Sequence, residues 1–237
     1  MMTKTKSAPR RHGNAQERSQ DRVAVLGNRE HDLVKQAAEW RLLSLLFECP
    51  SPQWRNQVTA LRQEIADAEL RSAADDAVKE AGEGLFHHTF GPGGPAPPRE
   101  ATYHQTVQLG YLMSELQAYY NAFAFHPATA EPPDHVAVET EFMAYLKLKE
   151  AYALACHDEE RAATASESAE RFVKEHLANI AQPLADRLEG SGITYLVKAG
   201  SALLRRVGPP AVAVSPLPIL QDETKEDEWG CGEVGRD

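Results

Sequence analysis

Residues 30–50 read EHDLVKQAAEWRLLSLLFECP, and this stretch decides the fold. Leu33, Ala37, Trp40 and Ser44 recur at helical spacing, with Leu42, Leu43, Leu45, Leu46 and Phe47 filling the positions beside them. A helix that is apolar around most of its circumference must be enclosed by others, so the pattern predicts a central core helix. Cys49-Pro50-Ser51-Pro52 stops it. Ser51 is the expected N-cap of the next helix and Pro52 sits in its first turn. In that second helix Trp54, Val58, Leu61 and Ile65 form one apolar stripe.

Working downstream, a third helix rich in Ala, Asp and Glu is predicted over about residues 69–86. Gly91-Pro92-Gly93-Gly94-Pro95-Ala96-Pro97-Pro98 follows, a loop at residues 91–98 that no helix or central strand can cross. A long helix is predicted over residues 101–125, with Val107, Tyr111, Tyr119 and Phe123 among its apolar positions. Another runs over residues 134–156 with Val138, Phe142, Tyr145 and Tyr152 on one face, and further helices are expected near residues 158–178, 180–189 and 193–207. The one short β-branched run, residues 211–214, is half alanine and lies between Pro210 and Pro216. The chain therefore reads as all-α, a single globular bundle of seven or eight helices over residues 29–208.

The 237 residues suit one sizeable domain. Residues 1–28 lack apolar periodicity and read as a disordered basic tail; residues 1–22 carry six bases against two acids, a net of +4. Residues 209–237 read as a Pro-rich and then acidic tail. No apolar run approaches the roughly 18 residues of a membrane helix, so membrane insertion is not expected. The net charge of −10 argues against a nucleic-acid partner, which needs a surplus of Lys and Arg. Residues 131–170 hold ten acids against three bases, an acidic surface that invites a cationic partner. Cys49, Cys156 and Cys231 are scattered and form neither a disulfide framework nor a zinc finger. Arg10-Arg11 is followed by no apolar stretch, so it does not read as an export signal and the chain is expected to stay in the cytoplasm.

Glu131-Pro132-Pro133-Asp134-His135 is the densest chemical stretch. It has two readings. As a helix start, the prolines give an extended lead-in and Asp134 is the N-cap. As a site, Glu131, Asp134, His135, Glu139 and Glu141 gather ionisable groups beside a stiff loop that could grip a basic peptide or a metal. His135 and Glu139 share a helix face, yet the chain has no H-E-x-x-H, nucleophile elbow or Walker loop. No resident metal, haem, flavin or iron–sulfur cluster is expected, because the Cys and His spacing offers no closed ligand set. Phe86, Phe90 and Tyr103 flank the Gly/Pro loop and can be read as packing at helix ends.

On these residues the chain resembles the TorD-like chaperones, related to DmsD and NarJ, that mature molybdenum-containing oxidoreductases. The resemblance covers about residues 30–207, and Glu131-Pro132-Pro133-Asp134-His135 matches the family's E-P-x-D-H signature at every fixed position. Phe47-Glu48-Cys49-Pro50, the aromatic segment Phe86 to Gly94, and Glu100-Ala101-Thr102-Tyr103 in place of E-S-x-Y fall in the family's order. Phe86-His87-His88-Thr89-Phe90 departs from the family's Tyr-x-x-Leu-Phe and keeps its final Phe. The long Gly/Pro loop is similar to that of chaperones serving dimethylsulfide dehydrogenase, ethylbenzene dehydrogenase, selenate reductase and (per)chlorate reductase.

The resemblance implies a cytoplasmic, non-enzymatic chaperone, monomeric or homodimeric. Its partner would be the apo catalytic subunit of a molybdenum oxidoreductase and that subunit's twin-arginine signal peptide. Glu131, Pro132, Asp134 and His135 are then expected to line the client surface, with Glu139 and Glu141 extending its acidity and Phe90 and Tyr103 adjoining it. Two other classes stay open on residue chemistry: a metal-dependent helical enzyme using His135 and Glu139, and a generic helical adaptor.

Overall fold

The computed structural model describes residues 15–104 and 108–208, with side chains from Gly27 onward. Among these residues are nine α-helices and no strand. They are α1 (Ala15–Leu46), α2 (Trp54–Glu64), α3 (Ala68–Glu80), α4 (Glu83–Phe90), α5 (Leu109–Ala122), α6 (Val136–Ala155), α7 (Glu159–Phe172), α8 (Ala178–Ser191) and α9 (Thr194–Val207). The all-α expectation holds. Helix α1 starts earlier than the periodicity suggested, so residues 15–28 of the expected tail are helical. Residues 1–14, Val107, the 211–214 run and the expected C-terminal tail lie outside the described residues.

Helix α1 packs along α6, and this pair is the spine of the fold. Leu42, Leu43, Leu45, Leu46 and Phe47 are all buried, so the end of α1 is enclosed on every side, as its composition demands. Each such side chain contributes about 1.5–3 kcal/mol through burial. Helices α2 and α3 close one flank, α3 meets α9, and α8 packs on α9. The seven-residue connection between α1 and α2 is locked by Trp54, whose Nε1–H donates to the Leu45 carbonyl at 2.6 Å. Ser51 takes part through its carbonyl, which accepts from Trp54 N–H at 3.1 Å, while Gln53 holds the N-cap position without a side-chain bond. The expected hydroxyl cap is thus replaced by a backbone turn.

Three helical boundaries differ from the sequence reading. The predicted helix over residues 69–86 is two helices, because the chain turns extended at Ala81 and Gly82 before α4. The predicted helix from residue 101 begins instead as a 3₁₀ turn, Glu100–Tyr103, and α5 starts only at Leu109. Helices α7 and α8 are joined without a loop by a π-helical turn, Val173–Leu177. Val138 and Phe142 face the core and Tyr145 is half-buried, but Tyr152 is 71% exposed and Tyr111 on α5 is 67% exposed. Periodicity assigns both tyrosines to apolar positions, and the structure turns them to solvent.

Candidate functional site

The Gly/Pro loop folds back on the end of α4. Ala96 N–H donates to the Thr89 carbonyl, and Tyr103 Oη–H donates to the Pro97 carbonyl at 2.7 Å. Arg187 from α8 lies over the Tyr103 ring at 5.8 Å and donates to the Pro95 carbonyl. The far end of the loop then pairs with the lead-in to α6. Arg99 and His135 form an antiparallel bridge, with Glu100 N–H on the Asp134 carbonyl at 2.8 Å and Val136 N–H on the Pro98 carbonyl at 2.9 Å.

Asp134 fastens this junction from inside. Its carboxylate is fully buried, accepts from Arg99 Nε at 2.8 Å and Nη2 at 2.6 Å, and accepts from Ala101 N–H at 3.3 Å. Asp134 is therefore not the N-cap of α6. That position belongs to His135, whose Nδ1 accepts from Ala137 N–H at 3.1 Å. An accepting Nδ1 requires the neutral ring, and burial, helped by the Arg99 charge, pushes the His135 pKa down to about 3. Tyr120 Oη–H donates to the Pro133 carbonyl and holds the lead-in from the α5 side.

Below the junction lies a buried polar node that the sequence reading missed. Glu100 has no exposed surface and accepts from His104 Nε2 at 2.7 Å, His176 Nδ1 at 3.1 Å and Asn179 Nδ2 at 3.0 Å. Burial works against its charge, but the bonds from His176, His104 and Asn179 prevail and hold its pKa below the usual range. Glu139 lies alongside, fully buried, with neither carboxyl oxygen hydrogen-bonded among the described residues. Burial first, then the charges of Glu100 and Asp134, drive its pKa well up, so it favours the protonated form.

Asp134, His135 and Glu139 are thus internal in this conformation, and Phe90 packs against Phe86 and Phe47. Glu131, Pro132, Glu141 and Tyr103 reach solvent in part. His135 and Glu139 do not share a ligand cluster among the described residues, and His135 has already committed Nδ1 to the backbone.

Glu141 opens onto a second feature, a groove of about 520 Å³ between α1, α6 and the end of α5. Its floor is apolar, built from Val34, Ala38, Phe125, Ala144, Tyr145 and Leu148. Val34 and Leu148 are 47% and 48% exposed. Its polar wall is Arg41, which donates to Glu48 at 2.6 Å and stands 3.7 Å from Glu141. Glu141 also accepts from Ala128 N–H, and burial raises its pKa against the pull of Arg41. The end of α1 adjoins the signature loop: burial, then Glu83 and Glu131, push the Cys49 thiol up.

An internally clamped loop and an open apolar groove thus sit on one all-helical fold. The family described as nitrate reductase delta subunit matches residues 50–186, more than half of the chain, and the chain belongs to that family. Its members are NarJ- and TorD-like chaperones of molybdoenzyme maturation that act with molybdoenzyme catalytic subunits and are not catalysts. Comparison with curated proteins gives no match. Among the described residues no helix is long and apolar enough to cross a membrane.

Proposed function

We propose that this chaperone works in the cytoplasm and binds the apo catalytic subunit of a molybdenum-containing oxidoreductase together with its twin-arginine signal, until cofactor insertion is complete. The observation that carries this reading is the α1–α6 groove. It joins an apolar floor to carboxylates already engaged with a guanidinium, that of Arg41. A signal of that class combines paired arginines with an apolar helix, so the helix suits the floor and its arginines can exchange for Arg41 at Glu48 and Glu141. Glu131 and Pro132, at the partly exposed rim of the signature loop, extend the same acidic side. Asp134, His135 and Glu139 serve by fixing the loop.

Calorimetric titration of the full chain tests this with two peptides sharing one apolar segment, one carrying the arginine pair and the other Gln-Gln. The arginine peptide is expected to bind about tenfold more tightly, as two or three partly exposed ion pairs would give. Equal affinity for the two peptides would remove the signal from the reading.

A further inference from the structure

The π-helical turn Val173–Leu177 sets Glu175 and His176 side by side against α5. Such turns inside helices recur at functional sites, because the extra residue re-aims neighbouring side chains. His176 is 1% exposed, and its Nδ1 is held by the buried Glu100 carboxylate at 3.1 Å. That leaves Nε2, which is buried and has no hydrogen-bond partner among the described residues. A carboxylate accepting from Nδ1–H puts the free lone pair on Nε2, and metal-bound histidines are oriented in this way. Glu175 and, from α5, Glu115 gather with His176: one ligand atom from each of the three residues lies within 4.8 Å of the others. Tyr119, one turn along from Glu115, donates to Glu175 Oε2 at 2.6 Å.

We infer that Glu115, Glu175 and His176 form a binding site for a divalent first-row metal ion, with Zn²⁺ suited to the set of one imidazole and two carboxylates. Tetrahedral ligands about 2.1 Å from zinc stand about 3.4 Å apart, so closure asks for a movement of roughly an ångström. Glu175 is exposed and Glu115 partly so, and both can make that movement by rotation. Arg171, which donates to Glu175 Oε1 at 3.3 Å, is mostly exposed and free to swing into water as the ion arrives. Three protein ligands leave a fourth position open toward solvent. The sequence offered no hint of this set, because Glu115 is 60 positions from Glu175 and meets the Glu175–His176 pair only where the π turn lies against α5.

The test uses the tag-free full chain, stripped with chelator and titrated with Zn²⁺, with Co²⁺ as a visible-absorption probe. One equivalent is expected to bind, to raise the Tm and to give tetrahedral Co²⁺ bands. Glu115→Gln, at a partly exposed position, keeps the fold and should weaken Zn²⁺ binding at least tenfold. Glu167→Gln, on the exposed face of α7, should leave binding unchanged. His176→Gln should abolish both the Co²⁺ bands and the Tm increase. Should that variant fail to fold, Glu115→Gln decides alone. Absence of stoichiometric binding, or equal binding by wild type and Glu115→Gln, overturns the assignment.

Discussion

Asp134 holds its carboxylate with no exposed surface, on Arg99 and on the first free N–H of the 3₁₀ turn at Glu100. Were it a simple helix cap, Asp134→Asn would cost almost nothing, since Asn keeps a capping oxygen. Here the amide nitrogen would face a guanidinium or an N–H, donor against donor. Hydrogen bonds to charged groups contribute about 1.5–3 kcal/mol. Asp134→Asn is therefore expected to destabilise the chain by about 2 kcal/mol, or about 5 °C in Tm. Arg99→Gln should lose part of the same energy, and the double variant less than the sum of the two. Strict additivity in urea melts would show that the pair is not coupled.

Glu139 gives a second residue-scale prediction, in pH. An unfolded Glu loses its proton near pH 4.3, whereas in the folded chain burial keeps the proton to much higher pH. Across that window the folded state binds more protons than the unfolded one, so stability falls as pH rises. His135 has the opposite slope: its folded pKa, about 3, lies below the unfolded value, so its contribution is lost as pH falls below about 6.5. Both wild type and Glu139→Gln keep His135, so its slope cancels between them. From pH 5 to 8 wild type should lose stability relative to Glu139→Gln, by at most about 1.4 kcal/mol per pH unit. Parallel urea-melt profiles would refute this. Glu131-Pro132-Pro133-Asp134-His135 was legible as the critical stretch, but its inner wiring was not. Arg99 and Asp134 are 35 positions apart and Glu100 and His176 are 76 apart, distances that no local spacing rule spans.

Among the elements, the Gly/Pro loop shows how a composition signal becomes geometry. Its stop on helix α4 was readable from residue types alone, but its path back over α4 was not. A Cβ on Gly94 would stand 2.4 Å from the Thr89 carbonyl oxygen and 2.9 Å from that of His88, both backbone atoms that cannot rotate away. Gly94→Ala must therefore lift the loop from α4 and weaken the Ala96–Thr89 bond, at a cost of about 1–3 kcal/mol. Gly93 has open space but a φ of +79°, so Gly93→Ala costs only the left-handed penalty, about 1–2 kcal/mol. Thermal melts should show Gly94→Ala as the lower-melting of the two, and Gly94→Ala alone should expose Tyr103 to quenchers. The reverse order would mean that the loop is not held by close approach. Periodicity found α1, α2 and α6 because each buries a stripe against fixed neighbours. It overran at residues 101–103 because Asp134 and His176 hold Glu100 and Ala101 from outside the segment, and it missed the π turn because one added residue scarcely disturbs a helical pattern.

For the whole molecule, charge and apolar area have to act together. The net charge of −10 draws a cationic partner from a distance, and salt screens that attraction over a Debye length of about 8 Å at physiological strength. Contact on the groove floor is not screened. Affinity for a twin-arginine peptide should therefore fall about five- to thirtyfold between low and high salt, matching the loss of about 1–2 kcal/mol of partly exposed ion pairs. Leu148, already 48% exposed on the floor, can become Asp without loss of core packing. Placing a hydrated carboxylate under the apolar segment of the client should weaken binding about tenfold. That loss should persist at high salt, where the added negative charge no longer helps to attract arginines. At low salt the extra attraction offsets part of the loss, so the ratio of wild-type to Leu148→Asp affinity should grow as salt is added. Calorimetry at two salt concentrations measures all four affinities. A ratio of about one at high salt would place the apolar segment away from the α1–α6 groove and leave only the acidic rim in contact with the client.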